Sequence, residues 1–259
     1  MTRLILTLFA ILLFATIGRA QVIGTHQGSN NPILEGWQQI RSFTGVSTGP
    51  ITNDLGSGTN AWKINDTSNG DGIYGIQLTS QQLQLAAVSD WKLSTTLRVV
   101  SGSPSSSPDN VPIQVAIHFH ERNYSMGFGR EPSGLPWIGL GTDAGTVLVP
   151  LSNVGANYNT YDLIFSQASG SASLYVNGSL AYTGFNGVLD PDFNTGPGDR
   201  TSEFLFFGST SANGPSGQAN YNFVQFGFVP EPSSALIWVL GSVAILCRRE
   251  RRVAHIRGT

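Results

Sequence analysis

The hydrophobic pattern changes character along the chain. Near the start, Leu4 to Ile17 is a continuous apolar run, and near the end Ser233 to Cys247 carries Leu236, Ile237, Trp238, Val239, Leu240, Val243, Ile245 and Leu246. Between these ends, apolar and polar residues alternate. Trp91, Leu93, Thr95, Leu97 and Val99 fall on one face of a period-2 segment, with Lys92, Ser94, Thr96 and Arg98 on the other. Ile113, Val115, Ile117 and Phe119 repeat the pattern, as do Tyr161, Leu163 and Phe165, then Ala172, Leu174 and Val176. Such alternation predicts strands with one face in a core. Asn177-Gly178 supplies the two positive-φ positions of a type I′ hairpin before Leu180-Ala181-Tyr182 returns. Glu203 to Phe207 and Ala219 to Phe228 complete the strand set. One short helix is expected around Gln81 to Ala87, and a Ser/Pro loop at Ser101 to Asn110. About a dozen short strands without a repeat or linker predict a single antiparallel β-sandwich over residues 21–228, an all-β jelly roll.

The two apolar ends read as addresses. Arg3 precedes the first run, and Gly18-Arg19-Ala20 puts small residues three and one before a cut ahead of Gln21. This is the layout of a secretory signal peptide over residues 1–20. A retained anchor is the alternative, but the 14 residues from Leu4 to Ile17 make about 21 Å of helix against a hydrocarbon core of about 30 Å. The second run, 233–247, gives about 22 Å of helix, a marginal transmembrane segment. Arg248, Arg249, Arg251 and Arg252 follow it directly and would hold that side in the cytoplasm. Residues 253–259 are then a cytoplasmic tail, and the domain upstream lies outside.

Composition narrows the function classes. Charged residues make up only 12% of the chain, with 31 Gly and 10% aromatics, which excludes a coiled coil and disorder. The net charge of −2 conceals an asymmetry. Seven of the fourteen basic residues lie at the ends (Arg3, Arg19, Arg248, Arg249, Arg251, Arg252 and Arg257), as do two of the sixteen acids, Glu231 and Glu250. Residues 21–229 therefore carry seven basic against fourteen acidic side chains, a net of −7 that repels phosphate backbones and argues against nucleic acid as a partner. The single cysteine, Cys247, lies in the second apolar run, so the exported domain has no disulfide and relies on its core. At about 200 residues it can bury roughly 70% of its unfolded surface.

Val229-Pro230-Glu231-Pro232, then a short apolar segment, then the arginine cluster resembles the PEP-CTERM sorting tail of exported bacterial proteins over residues 229–252. The resemblance implies that Pro230, Glu231 and Pro232 are recognised by an exosortase-type membrane protease and that the arginines are the membrane stop. The chain would then be held briefly in the inner membrane and passed to the cell surface or extracellular matrix. Val253 to Thr259 extends beyond the usual end of such a tail, and an ordinary C-terminal anchor is the alternative. Within the domain, Trp91 to Val100, Tyr161 to Phe165, Ser173 to Gly178, Phe204 to Gly208 and Tyr221 to Phe226 resemble the concanavalin A-like jelly roll, including laminin-G-like lectin domains. That resemblance bears mainly on fold.

The chemistry legible in the sequence is sparse. Glycoside hydrolysis needs two carboxyl groups across one bond, and no strand carries such a pair at i and i+2. Glu121, Glu131 and Glu203 stand alone, and Asp190-Pro191-Asp192 is broken by proline. Gly45-Val46-Ser47-Thr48-Gly49 spells a nucleophile elbow but lacks the strand-to-helix context that motif requires. These observations predict a non-enzyme. By alternation His118 and His120 fall on the face opposite Ile117 and Phe119, a spacing suited to a water-facing polar row, a sugar groove or a metal. Tyr124 and Trp137 follow, and with the two histidines they form the candidate carbohydrate groove, since sugars stack on aromatic rings while polar neighbours bond their hydroxyls. Asp66, Asn69 and Asp71 make an oxygen-rich turn that calcium could occupy, although the late bidentate Glu of a calcium loop is missing, and a plain Asx turn is the alternative. No other cofactor is indicated. The function expected is a non-catalytic lectin-like module binding extracellular polysaccharide. The alternatives are a structural or adhesive surface protein and a divergent glycoside hydrolase.

Overall fold

The structure, a computed structural model, describes residues 21–40, 44–67, 71–102, 112–119, 121–130, 133, 135–151, 155–189, 204–210 and 216–229. The segments expected as signal peptide, sorting motif and transmembrane helix, and their arginines, lie outside the described residues. Among the described residues no helix is long and apolar enough to cross a membrane.

Two antiparallel sheets form the sandwich. Their strands are β1 (Gln21–Gln27), β2 (Gln38–Gln39), β3 (Val46–Asp54), β4 (Thr59–Asp66), β5 (Asp71–Gln77), β6 (Trp91–Gly102), β7 (Gln114–Phe119) and β8 (Arg122–Arg130). They continue with β9 (Pro136–Thr142), β10 (Gly145–Val149), β11 (Asn159–Ser166), β12 (Ser171–Val176), β13 (Ser179–Phe185), β14 (Val188–Leu189), β15 (Phe204–Thr210) and β16 (Gly217–Phe228). The first sheet runs β13-β12-β11-β6-β16-β4-β3 with β1 on β16, and the second runs β10-β9-β8-β7-β15-β5-β2 with β14 on β8. Non-consecutive neighbours such as β6 beside β16 and β7 beside β15 require crossovers between the sheets, as in a jelly roll. The one α-helix among the described residues, α1 (Ser80–Ala86), begins with a capping box. Thr79 accepts from the Gln82 amide, and Gln82 reaches back to the Thr79 amide.

The expected strands over Trp91–Val99, Ile113–Phe119, Tyr161–Phe165 and Ala172–Val176 are present, and the Asn177-Gly178 turn has φ 49° and 80° as a type I′ turn requires. The sequence reading missed β1 to β4, whose Asn, Gly and Thr content blurs the alternation, and it assigned no strand to the segment around Trp137, where β9 and β10 form a hairpin. Gly45 to Gly49 leads into and lies within β3, far from any elbow.

Between the sheets lies one aromatic-rich core. Trp91 stacks on Phe165 at 5.1 Å and 2°, and Tyr124 meets both edge-on. Phe128 packs on Tyr161, and Phe207 on Trp37, Tyr74 and Tyr221. Edge-to-face and offset pairs of this kind add to the area term. They replace the disulfides the domain lacks.

Candidate functional site

The central strands of the second sheet, β7, β8 and β15, are buried on both faces. On β7, Val115 and Ile117 point into the core while Gln114, Ala116 and His118 point outward. On β8, Tyr124, Met126 and Phe128 point in, so Asn123, Ser125, Gly127 and Gly129 point out. Register pairs His118 with Asn123 and with Phe204, Ala116 with Ser125 and Phe206, and Gln114 with Gly127. This outer face holds a second apolar cluster of Ile73, Ala116, Phe204 and Phe206. Beside it Gln114 donates to Ser125 Oγ and accepts from Thr210 Oγ1 at 2.8 Å. Gln114, His118, Asn123 and Ser125 are all 5% exposed or less. The expected water-facing polar row is therefore a covered layer.

Trp137 lies on this outer face toward the β10 edge. It pairs with Gly129, while its neighbours Ile138 and Leu140 face the core. Its indole lies over Gly129, where a Cβ would come within 2.1 Å of Nε1 and Cε2. Only glycine leaves room for that ring. Gly139 lies near the ring's Cζ3, next to Thr146 and Leu148. Trp137 is 6% exposed and its Nε1 has no hydrogen-bond partner. The ring and its N–H are thus covered, and beside them the apolar side chain that stands open is Leu148, at 58% exposure.

The four residues expected to share a groove do not come together. His118 and Trp137 share the outer face. Tyr124 does not, because the register sets it opposite Ile117 and sends its ring between the sheets, against Trp91, Phe165 and Phe185. There its phenol is shielded from solvent, and burial pushes its pKa up. His120 lies outside the described residues. The calcium cluster also loses a member. Asp66 is turned inward, 1% exposed, and accepts a 2.5 Å hydrogen bond from Ser209 across the sandwich, while Asn69 lies outside the described residues. Among the described residues no group of three metal-ligating side chains lies close enough to hold an ion.

The outer face of the first sheet carries a different arrangement. Asp54 accepts from Arg98 Nε and Nη2 at 2.9 and 2.8 Å, from Asn220 Nδ2 at 2.7 Å and from the Tyr158 hydroxyl at 2.8 Å. Burial raises the Asp54 pKa, but these donors outweigh it and hold the carboxyl below its ordinary range. The bidentate Arg pair and two further donors leave the carboxylate fully engaged. It fastens the β3–β4 hairpin to the sheet.

No protein-family model and no curated protein matches the sequence. A carbohydrate esterase from the Shiga toxin-encoding bacteriophage phi24B superposes with a TM-score of 0.57 at 8% identity, over 82% of this chain and all of the esterase chain. The likeness is one of fold. Botulinum neurotoxin type C, described in terms of its interaction with two ganglioside molecules, gives 0.46 at 12% identity, and the chain spans 51% of its length. An alginate lyase gives 0.43 at 12% identity over 81% of this chain and 97% of the lyase.

Proposed function

We propose that this chain is an exported bacterial surface or extracellular-matrix protein whose concanavalin A-like sandwich binds carbohydrate without catalysing its conversion. The feature that supports this reading is the β9–β10 edge of the second sheet, where the aromatic ring of Trp137, seated on Gly129, borders the exposed Leu148. The fold shared with a phage carbohydrate esterase supports the ligand class. The engagement of carboxylates supports binding over hydrolysis. Asp54 is held by Arg98, Asp162 by Lys92 and Ser94, and Glu35 by His26. Export and sorting rest on the termini, with Pro230, Glu231 and Pro232 as the segment offered to an exosortase-type protease and the arginine cluster holding the inner-membrane stop.

A second reading, a structural or adhesive surface protein without a small ligand, is favoured by the burial of His118, Gln114, Asn123 and Ser125. Affinity electrophoresis of the full-length chain through gels cast with soluble polysaccharides separates the two. Retardation that Trp137→Ala abolishes supports carbohydrate binding, and equal mobility in every polysaccharide supports the structural reading. For sorting, replacing Pro230-Glu231-Pro232 by alanines in the producing cell is expected to leave a longer, membrane-retained product. Unchanged release would contradict it.

A further inference from the structure

A buried histidine at the start of the described fold is tied to a single carboxylate. His26, on β1, is wholly buried, with its ring stacked 5.3 Å from Phe207. Its Nδ1 lies 2.6 Å from Glu35 Oε2. Glu35 closes a short 3-10 turn, Pro32–Glu35, and its other oxygen accepts from the Gln27 amide at 3.1 Å and from Asn30 Nδ2 at 2.9 Å. One carboxylate thus gathers three donors and folds the turn back onto β1. The following residue but one, Trp37, is buried against Phe207 and donates from its indole to the Thr25 carbonyl at 3.1 Å. Beyond the pairing of β1 with β16 and of β2 with β5, this group of contacts fastens the segment 21–39 to the sandwich.

The arrangement fixes the protonation pattern. With the Glu35 carboxylate as acceptor, Nδ1 carries the proton and Nε2 is the bare nitrogen of a neutral imidazole. Nε2 has no hydrogen-bond partner in its buried position. Adding a proton there places a charge in a buried site among aromatic rings, which the Tyr221 main chain offsets only in part. The groups facing His26 are few. The 3-10 turn contributes Glu35, β15 contributes the uncharged Phe207, and β16 contributes Tyr221, whose main chain favours the protonated form and whose phenol burial keeps neutral. Glu35 also favours protonation. Burial is nevertheless the largest influence and lowers the His26 pKa.

We propose that His26 and Glu35 form an acid-sensitive clasp that holds β1 and the 3-10 turn on the sandwich at neutral pH and releases them as the medium acidifies. A histidine whose folded pKa lies below its unfolded value of 6.5 binds fewer protons folded than unfolded. Its stability contribution is complete above that value and is lost as pH falls below it. Because the clasp acts on one segment, the loss appears there as local opening before it appears in the central strands.

Hydrogen exchange of the full-length chain from pH 7.5 to 5.0, corrected for intrinsic rates, tests this. Protection of amides in residues 21–39 should fall severalfold below pH 6.5 while β6 and β11 keep theirs. His26→Asn, which retains a donor near the Nδ1 position and does not titrate, should make the segment's protection independent of pH. His26→Phe, which retains the stacked ring, should do the same with lower protection throughout. A wild-type segment whose protection is constant across the range, or one that opens only together with β6 and β11, would overturn the proposal. So would the same pH dependence in both variants.

Discussion

At the scale of single residues, a few side chains stand in positions that only the folded geometry explains. Leu55 adopts φ 56° at the tip of the β3–β4 hairpin and is 58% exposed, so it bears left-handed strain of about 1 to 2 kcal/mol without burying its side chain in return. Leu55→Gly should relieve the strain. The greater freedom of glycine in the unfolded chain offsets part of the gain, leaving a net stabilisation of about 0.5 kcal/mol that chemical denaturation would register. Gly129 is the reverse case. A methyl group there would strike the Trp137 indole, and Gly129→Ala should cost about 1 to 3 kcal/mol by overpacking. It should also displace the ring, seen as a shifted Trp137 indole resonance. The aromatic character of Trp137 was legible in the sequence; its seat was not, because it needs a glycine from the neighbouring strand. Tyr124 was misplaced for a related reason. Alternation assigns a residue to one of two faces relative to its own strand, and only register decides which face of the partner strand it shares.

At the scale of elements, the Asp54 group ties a hairpin to a sheet. Removing one partner of a largely buried ion pair leaves the other uncompensated, at about 3 kcal/mol or more. Arg98→Ala should therefore lower the unfolding midpoint substantially. The same contact predicts acid sensitivity. The folded pKa of Asp54 is depressed, so its contribution is present above the ordinary value of 3.8 and is lost as pH falls through and below that value. Asp54→Asn should flatten this part of a stability profile measured by denaturant unfolding from pH 5 to pH 2.5. Strands with strict alternation, such as β6 and β11, could be read from the sequence almost to the residue. β15 carried a second signal. Phe204-Leu205-Phe206-Phe207 is apolar without alternation, which marks a strand covered on both faces, and that is how the outer face of its sheet stands. The glycines at 127, 129, 139 and 141 repeat at period two and were the one sequence sign of the floor beneath Trp137.

At the scale of the whole molecule, the composition already pointed to an all-β sandwich without disulfides, and two antiparallel sheets around an aromatic core answer to that. The exported, membrane-sorted character depends on the two ends of the chain and remains a proposal, while the carbohydrate-binding reading depends on one face of one sheet. Its most direct test is a hydrogen-exchange footprint of the full-length chain with and without a soluble polysaccharide that retards it. The account predicts slowed exchange confined to β8, β9 and β10, around Trp137 and Leu148, with the first sheet unchanged. Protection on β3, β4 and β13 instead, or none anywhere in the presence of bound polysaccharide, would contradict it.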